Sequence, residues 1–170
     1  MGGKEAIRGF LCQAFASVLE ALGDSSWDKI YVEYISKDDK VDIALESNSE
    51  ILKSIQVKST ENSFSKDNVR NWLVALLKDD VGAKEIELFL LGQCTREALD
   101  FINSIEKLQK GEIDDKLNRC LSGFDKKLIT GKIVSFKLYP HTITKGKQID
   151  VKCIDPKSKK HWSLYFQCFF

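Results

Sequence analysis

The stretch Val41-Asp42-Ile43-Ala44-Leu45-Glu46-Ser47-Asn48-Ser49-Glu50-Ile51-Leu52-Lys53-Ser54-Ile55-Gln56-Val57-Lys58-Ser59 decides how this chain is read. Val41 to Glu46 alternates Val41, Ile43 and Leu45 against Asp42, Ala44 and Glu46. Lys53 to Ser59 alternates Ile55 and Val57 against Gln56 and Lys58. A period of two places successive side chains on opposite faces of a strand, so each run reads as half-buried β structure. The polar Ser47-Asn48-Ser49-Glu50 between them is short enough for a hairpin turn. Folding the hairpin about Ser49 sets position 42 opposite position 56, unless a β-bulge displaces the register by a residue. Directly opposed Cβ atoms lie roughly 4.5–5.5 Å apart, so Asp42, Gln56 and Lys58 are expected to converge.

Outward from the hairpin, helical and strand periods alternate. Ile7, Phe10, Leu11, Ala14, Phe15, Val18, Leu19 and Leu22 recur at three- and four-residue spacing, predicting a helix from about Lys4 to Leu22 stopped by Gly23. Lys29 to Ile35 reads as a strand. Ser65 caps a helix to about Lys78, Glu85 to Gly92 is a well-buried strand, and Thr95 caps a helix to about Lys110. A further short helix is expected in Glu112 to Leu121. Helix, three-strand meander, helix, strand, helix is an α/β order, with a right-handed crossover from the third strand to the fourth. Lys132 to Tyr139, Gln148 to Ile154 and His161 to Phe170 read as lysine-rich β segments. Residues 1–125 are therefore expected to form a core, and 126–170 a basic, β-rich extension packed on it or continuing it.

Charge divides at the same place. The 170 residues carry 26 Lys and Arg against 25 Asp and Glu, a net charge of +1. Up to Asp125 the balance is −7, and from Lys126 onward it is +8. The longest uninterrupted apolar run, Trp72 to Leu77, falls far short of the roughly 20 residues of a membrane span. The amino terminus lacks a secretory signal pattern. Five scattered cysteines with no CxxC pair fit thiols in a reducing cytosol better than a disulfide frame or a zinc site. Two histidines exclude a His-rich metal centre, and no GxSxG, GxGxxG or GxxxxGK[ST] motif occurs. A cytoplasmic chain without a membrane partner is the expectation.

The hairpin residues have a chemical use. The Asp42 carboxylate, the Gln56 amide oxygen and the Val57 carbonyl are hard oxygen ligands suited to Mg²⁺ or Mn²⁺. A metal held there polarises a phosphate and lowers the pKa of bound water, and Lys58 orients that water or offsets charge on the phosphorus centre. Glu33 is the best candidate for a second carboxylate. Glu5, Gln13 and Glu20 on the first helix are further options.

An Asp, about a dozen residues, and then (Asp/Glu/Gln)-x-Lys on adjacent strands behind a helix resembles the PD-(D/E)XK phosphodiesterase superfamily. Gly9-Phe10-Leu11-Cys12-Gln13, Val32-Glu33-Tyr34, Val41-Asp42-Ile43 and Gln56-Val57-Lys58 are similar to a narrower group within it. These are nuclease domains of bacterial anti-phage effectors, related to Mrr-type restriction nucleases, which also use Gln in the third motif. The resemblance covers roughly residues 4–110 and lies in the ordered set of short motifs. Val41 stands where the superfamily has Pro, and Gln56 where it often has Asp or Glu.

The resemblance implies a restriction-endonuclease-like mixed sheet flanked by helices. It implies metal-dependent cleavage of double-stranded DNA as the effector domain of a defence system, with Asp42, Gln56 and Lys58 at the metal and cleavage positions. Two cuts per duplex imply a homodimer or higher oligomer, and effectors of this kind are joined to a sensor domain. The other readings are a catalytically inactive nuclease-fold module that binds DNA or protein, and an Asp42–Lys58 pair that is merely a cross-strand ion pair. Lys126, Lys127, Lys132, Lys145 and Lys147 are candidate phosphate contacts, giving salt-sensitive DNA affinity, or else a solvated face.

Overall fold

A computed structural model of the chain describes residues 3–23, 26–79, 81–139, 149–154 and 161–166. The elements are α1 (Gly3–Gly23), β1 (Lys29–Val32), β2 (Ile43–Ser47), β3 (Glu50–Ser59), α2 (Lys66–Lys78), β4 (Glu85–Leu91) and α3 (Arg96–Gln109). They continue with α4 (Asp115–Cys120), a 3-10 turn at Lys126–Ile129, β5 (Ile133–Tyr139), β6 (Ile149–Ile154) and β7 (His161–Phe166). The result is an α/β fold whose five-stranded mixed sheet has the order β1-β2-β3-β4-β5. Strands β1 to β3 form the expected antiparallel meander, whereas β3, β4 and β5 run parallel and are joined through helices. The core sheet therefore extends to Tyr139, past the change in charge at Asp125. Strands β6 and β7 pair antiparallel as a separate hairpin.

The hairpin register follows from two local features. Asn48 and Ser49 both have positive φ, 52° and 66°, as a two-residue turn matched to strand twist requires. Glu46 then pairs with Ile51, but Leu45 pairs with Lys53, leaving Leu52 without a partner in a β-bulge. The bulge moves the pairing by one residue, so Ile43 faces Ile55, where the ladder ends, and the Asp42 N–H also bonds the Ile55 carbonyl. At Ile43 this is the register of a fold about Ser49, but Asp42 and Gln56 are not a paired position of the ladder.

The sheet is covered on both faces. On one, α1 packs Phe15 and Ala16 against Ile43, Leu45, Ile55, Val57, Phe89 and Leu91. On the other, Leu73, Leu76, Phe101 and Ile105 of α2 and α3 pack against Ala44, Ile86, Leu88 and Leu90. Burying both faces explains why β4 reads as a continuous apolar run instead of alternating. Ser65 accepts from the Asn68 backbone N–H, with the reciprocal bond from the Ser65 N–H to the Asn68 side chain at 3.3 Å. Thr95 caps α3 in the same manner, accepting from the Ala98 N–H.

Several boundaries differ from the sequence reading: β2 begins at Ile43 and not Val41, so Asp42 precedes it, and β3 begins at Glu50 and not Lys53. The strand expected over 29–35 ends at Val32, because Glu33 adopts φ 55° and turns the chain out of extended geometry. The helix expected over 112–121 is shorter, since Asp114 supplies its cap by accepting from the Leu117 N–H at 2.6 Å.

Candidate functional site

Asp42 stands one residue before β2, at the sheet position where the ladder to β3 opens. Its N–H donates to the Ile55 carbonyl at 2.9 Å, and its own carbonyl accepts from the Glu33 N–H at 2.6 Å. Its side chain lies between the strands. Oδ2 accepts from the Val57 N–H at 2.7 Å, and Oδ1 accepts from Gln13 Nε2 of α1 at 3.0 Å. Burial pushes the Asp42 carboxyl above its usual range. The Val57 and Gln13 hydrogen bonds and the Lys58 charge act against that shift, and the Glu33 charge adds to it. Each carboxylate oxygen keeps a lone pair for a further partner.

Gln56 and Lys58 share the sheet face occupied by α2 and α3, as their two-residue spacing requires. Gln56 is 2% exposed, and its Oε1 has no hydrogen-bond partner; the buried Gln13 Oε1 has none either. A buried amide oxygen left unpaired is costly; Trp27 Nε1 and Glu87 Oε1 are in the same condition among the described residues. The Lys58 ammonium lies 5.9 Å from the centre of the Trp72 ring on α2. Burial lowers the Lys58 pKa; nearby Asp42 opposes this and nearby Lys40 adds to it. Along β3, residues 55 and 57 turn their backbone polar groups toward β2, as the bonds to Asp42 show, so the Val57 carbonyl faces the same opening.

The loop that delivers Asp42 is held from behind by Asp79, the C-cap of α2, which is 2% exposed. Its carboxylate accepts from the Ser36 hydroxyl, from the Asp38 N–H at 2.9 Å and from the Lys40 N–H at 2.8 Å. Despite burial, these bonds hold the Asp79 carboxyl below its usual range. Sequence reasoning missed Asp79 because its partners lie about 40 residues away, with no local signal.

The structure thus brings Asp42, Val57 and Gln13 into hydrogen-bond contact, and brings Lys58 and Glu33 within electrostatic reach of Asp42. Gln56 is buried in β3 between the Ile55 and Val57 backbone groups that bond Asp42, and makes no hydrogen bond to Asp42 itself. The donors are of the kind Mg²⁺ accepts, one or two carboxylates with neutral oxygens. Among the described residues no group of three or more His, Cys, Asp or Glu side chains is arranged to hold a metal ion, so neutral oxygens would have to complete any such site.

The candidate phosphate contacts lie elsewhere. Ile133 pairs with Glu85, and Glu85 with Lys53, so Lys132 sits at the end of the sheet about 20 Å along the strands from Lys58. Lys126 is exposed and bonds Asn118 at 2.7 Å, Lys127 is exposed, and Lys132 Nζ donates to the Ala83 carbonyl at 2.8 Å. Lys126 and Lys132 border a cleft of about 610 Å³ with Leu108, Gln109 and Thr130. Lys145 and Lys147 lie outside the described residues.

A second polar cluster, unforeseen from sequence, lies beneath α1. Lys53 contacts Glu87 at 2.7 Å, Glu20 at 3.1 Å and Glu85 at 3.2 Å, and Lys137 of β5 joins Glu20. Glu20 and Glu87 are each 1% exposed. Although burial opposes both shifts, the lysines hold Glu20 below its usual range and the carboxylates raise Lys53. Burial raises Glu87 despite Lys53. Neither a family model, nor a curated protein, nor a solved structure matches this chain.

Proposed function

We propose that this chain is a metal-dependent endonuclease acting on double-stranded DNA, built on a restriction-endonuclease-like version of its α/β sheet. The observation that carries this reading is the convergence on Asp42. A half-buried carboxylate receives Gln13 and the Val57 N–H, lies within reach of the Lys58 and Glu33 charges, and is held by a Gln13 amide whose own oxygen is unpaired among the described residues. A simple cross-strand ion pair on a solvated face does not account for that convergence of donors from α1 and β3. Membership of an anti-phage effector, with a sensor domain, rests on the motif resemblance.

Asp42, Glu33, the Gln56 amide oxygen and the Val57 carbonyl would hold Mg²⁺ or Mn²⁺. The ion would supply charge for the scissile phosphate and acidify a coordinated water. Gln13 fixes the Asp42 carboxylate by donating to Oδ1, which keeps its free lone pairs directed to the opening. Lys58, whose proton is loosened by burial, offers an ammonium to the phosphate oxygens and can exchange a proton with the attacking water. Trp72 restrains the Lys58 chain by packing beneath its charge.

The test is incubation of supercoiled plasmid with the protein and Mg²⁺, beside Lys58→Ala. Nicked and linear products that the variant fails to make support the reading. Equal cleavage by both proteins, or none by the wild type across metals and activating nucleotides, overturns it. Salt-sensitive binding without cleavage would favour the inactive DNA-binding module.

A further inference from the structure

We propose that the outward face of α1 pairs with α1 of a second copy of this chain, antiparallel about a two-fold axis at Ala14. The sequence pattern treats Ile7, Phe10, Leu11, Val18 and Leu22 as part of one apolar helix, but the sheet takes only its other side. Phe15 and Ala16 are buried, while Leu22 is 75% exposed, Phe10 54%, Ile7 53%, Val18 47% and Leu11 38%. The outward residues Ile7, Phe10, Leu11, Ala14, Val18, Ala21 and Leu22 include no charged or polar side chain. A contiguous exposed apolar stripe of this kind marks an interaction surface.

The spacing identifies what covers it. Positions 7, 11, 14, 18 and 21 follow alternating steps of four and three, the a/d seam that packs against another helix, with Phe10 and Leu22 on its flanks. The two-fold at Ala14 sets Ile7 against Ala21 and Leu11 against Val18, and two alanines meet at the axis, so every layer of the seam is apolar and its centre permits close approach. The 21-residue helix is about 31 Å long at 1.5 Å per residue. A seam of that length buries on the order of 1,000 Å² in total, the lower end of specific interfaces, fitting a dimer of roughly micromolar affinity. By length and composition Ala6–Gly23 could also cross a membrane. The opposite side of the helix, however, carries Phe15 and Ala16 of the core and the ion-paired Glu20, which ties α1 to the sheet.

The pairing needs only α1 and not the Asp42 site, so oligomeric state tests it without reference to cleavage. Light scattering on the full chain at tens of micromolar should give twice the 19.3 kDa chain mass. Val18→Glu and Leu11→Glu should each weaken the dimer by roughly 100-fold while leaving the thermal transition in place, because both sites face solvent in the free chain. Oxidation of Ala14→Cys should yield a covalent dimer absent from the unsubstituted protein. Ile7→Cys alone should not cross-link, whereas Ile7→Cys/Ala21→Cys should. A monomeric wild type overturns the proposal, whether the face is then covered by the chain's own carboxy-terminal residues or binds phosphatidylcholine–phosphatidylglycerol vesicles. Dimers that survive both glutamate substitutions, or efficient cross-linking through Ile7→Cys alone, overturn it too.

Discussion

Two polar clusters occupy this small sheet, and they resolve their charges in opposite ways. Beneath α1, three carboxylates from Glu20, Glu85 and Glu87 surround Lys53 and Lys137, and Ser135 donates to both Glu85 and Glu87. Burial raises the Glu87 pKa, which eases the one surplus negative charge, and only Glu87 Oε1 in this cluster is without a hydrogen-bond partner among the described residues. At the opening between β2 and β3, Asp42 faces Lys58, but the amide oxygens of Gln13 and Gln56 stay unpaired. Charges that answer one another inside the fold serve structure. Polar groups left waiting at the end of a ladder are available for chemistry.

Four substitutions test that contrast, and the largest effect is expected at the open site. Asp42→Asn should reduce plasmid cleavage by about 10³-fold or more, a loss typical of removing a principal charge from a reacting centre. Its urea midpoint should stay close to wild type, since the single Asn oxygen can keep the Val57 N–H while a flipped Gln13 amide accepts from the new Nδ2. A collapse in stability with unchanged cleavage would invert the assignment of the two clusters.

Lys53→Met should do the opposite. Removing the central cation strands Glu20 and Glu87, with an expected cost of about 3–5 kcal/mol by equilibrium urea unfolding. The pH dependence gives a second reading. The folded Lys53 pKa lies above its unfolded value near 10.5, so its contribution is fully present below that value and is lost only as pH rises through the higher folded one. The gap between wild type and Lys53→Met should therefore stay constant from about pH 7 to pH 10. A gap that closes by pH 9 would show that the cluster is not the ion network described.

Asp79→Asn lies between these extremes. It keeps the size of the side chain but removes the charge that gathers Ser36, Asp38 and Lys40, at a cost of about 1–3 kcal/mol. Because that loop leads into Asp42, cleavage should fall more steeply than stability, measured as turnover well below the melting transition. Proportional losses would leave Asp79 as a structural cap alone.

Gln56→Glu should have the smallest effect. In metal-free buffer the added buried charge should lower stability by about 1–2 kcal/mol. Millimolar Mg²⁺ should restore part of it, because an ion bound only to the folded state stabilises it. Identical melting curves with and without Mg²⁺ would argue that Gln56 does not face a metal position.

Local signals carried much of this into the sequence. Ser65 and Thr95 mark helix starts because a capping side chain acts within three residues, whereas counting about Ser49 reaches the Ile43–Ile55 pair only through the bulge at Leu52. What stayed hidden depends on distant chain segments. The Asp79 clasp and the Lys53 cluster join elements that approach only in the folded sheet. The left-handed turn at Glu33 has no residue signature, since glutamate does not favour positive φ. The α1 pattern announces a helix but not which side is buried, because both sides are apolar.

The bulge at Leu52 has a consequence for how this site tolerates insertion and deletion. Strand pairing is a matter of parity, and one unpaired residue determines whether even or odd positions of β3 meet Asp42. Deleting Leu52 would remove only the unpaired residue and leave Leu45 opposite Lys53 and Ile43 opposite Ile55, whereas closing the bulge with Leu52 retained would pair it with Leu45 and set Ser54 opposite Ile43. The chemistry proposed at this opening is thus encoded partly as a count, and the hairpin is predicted to accept loss of Leu52 far more readily than loss or insertion of a residue at a paired position of β3.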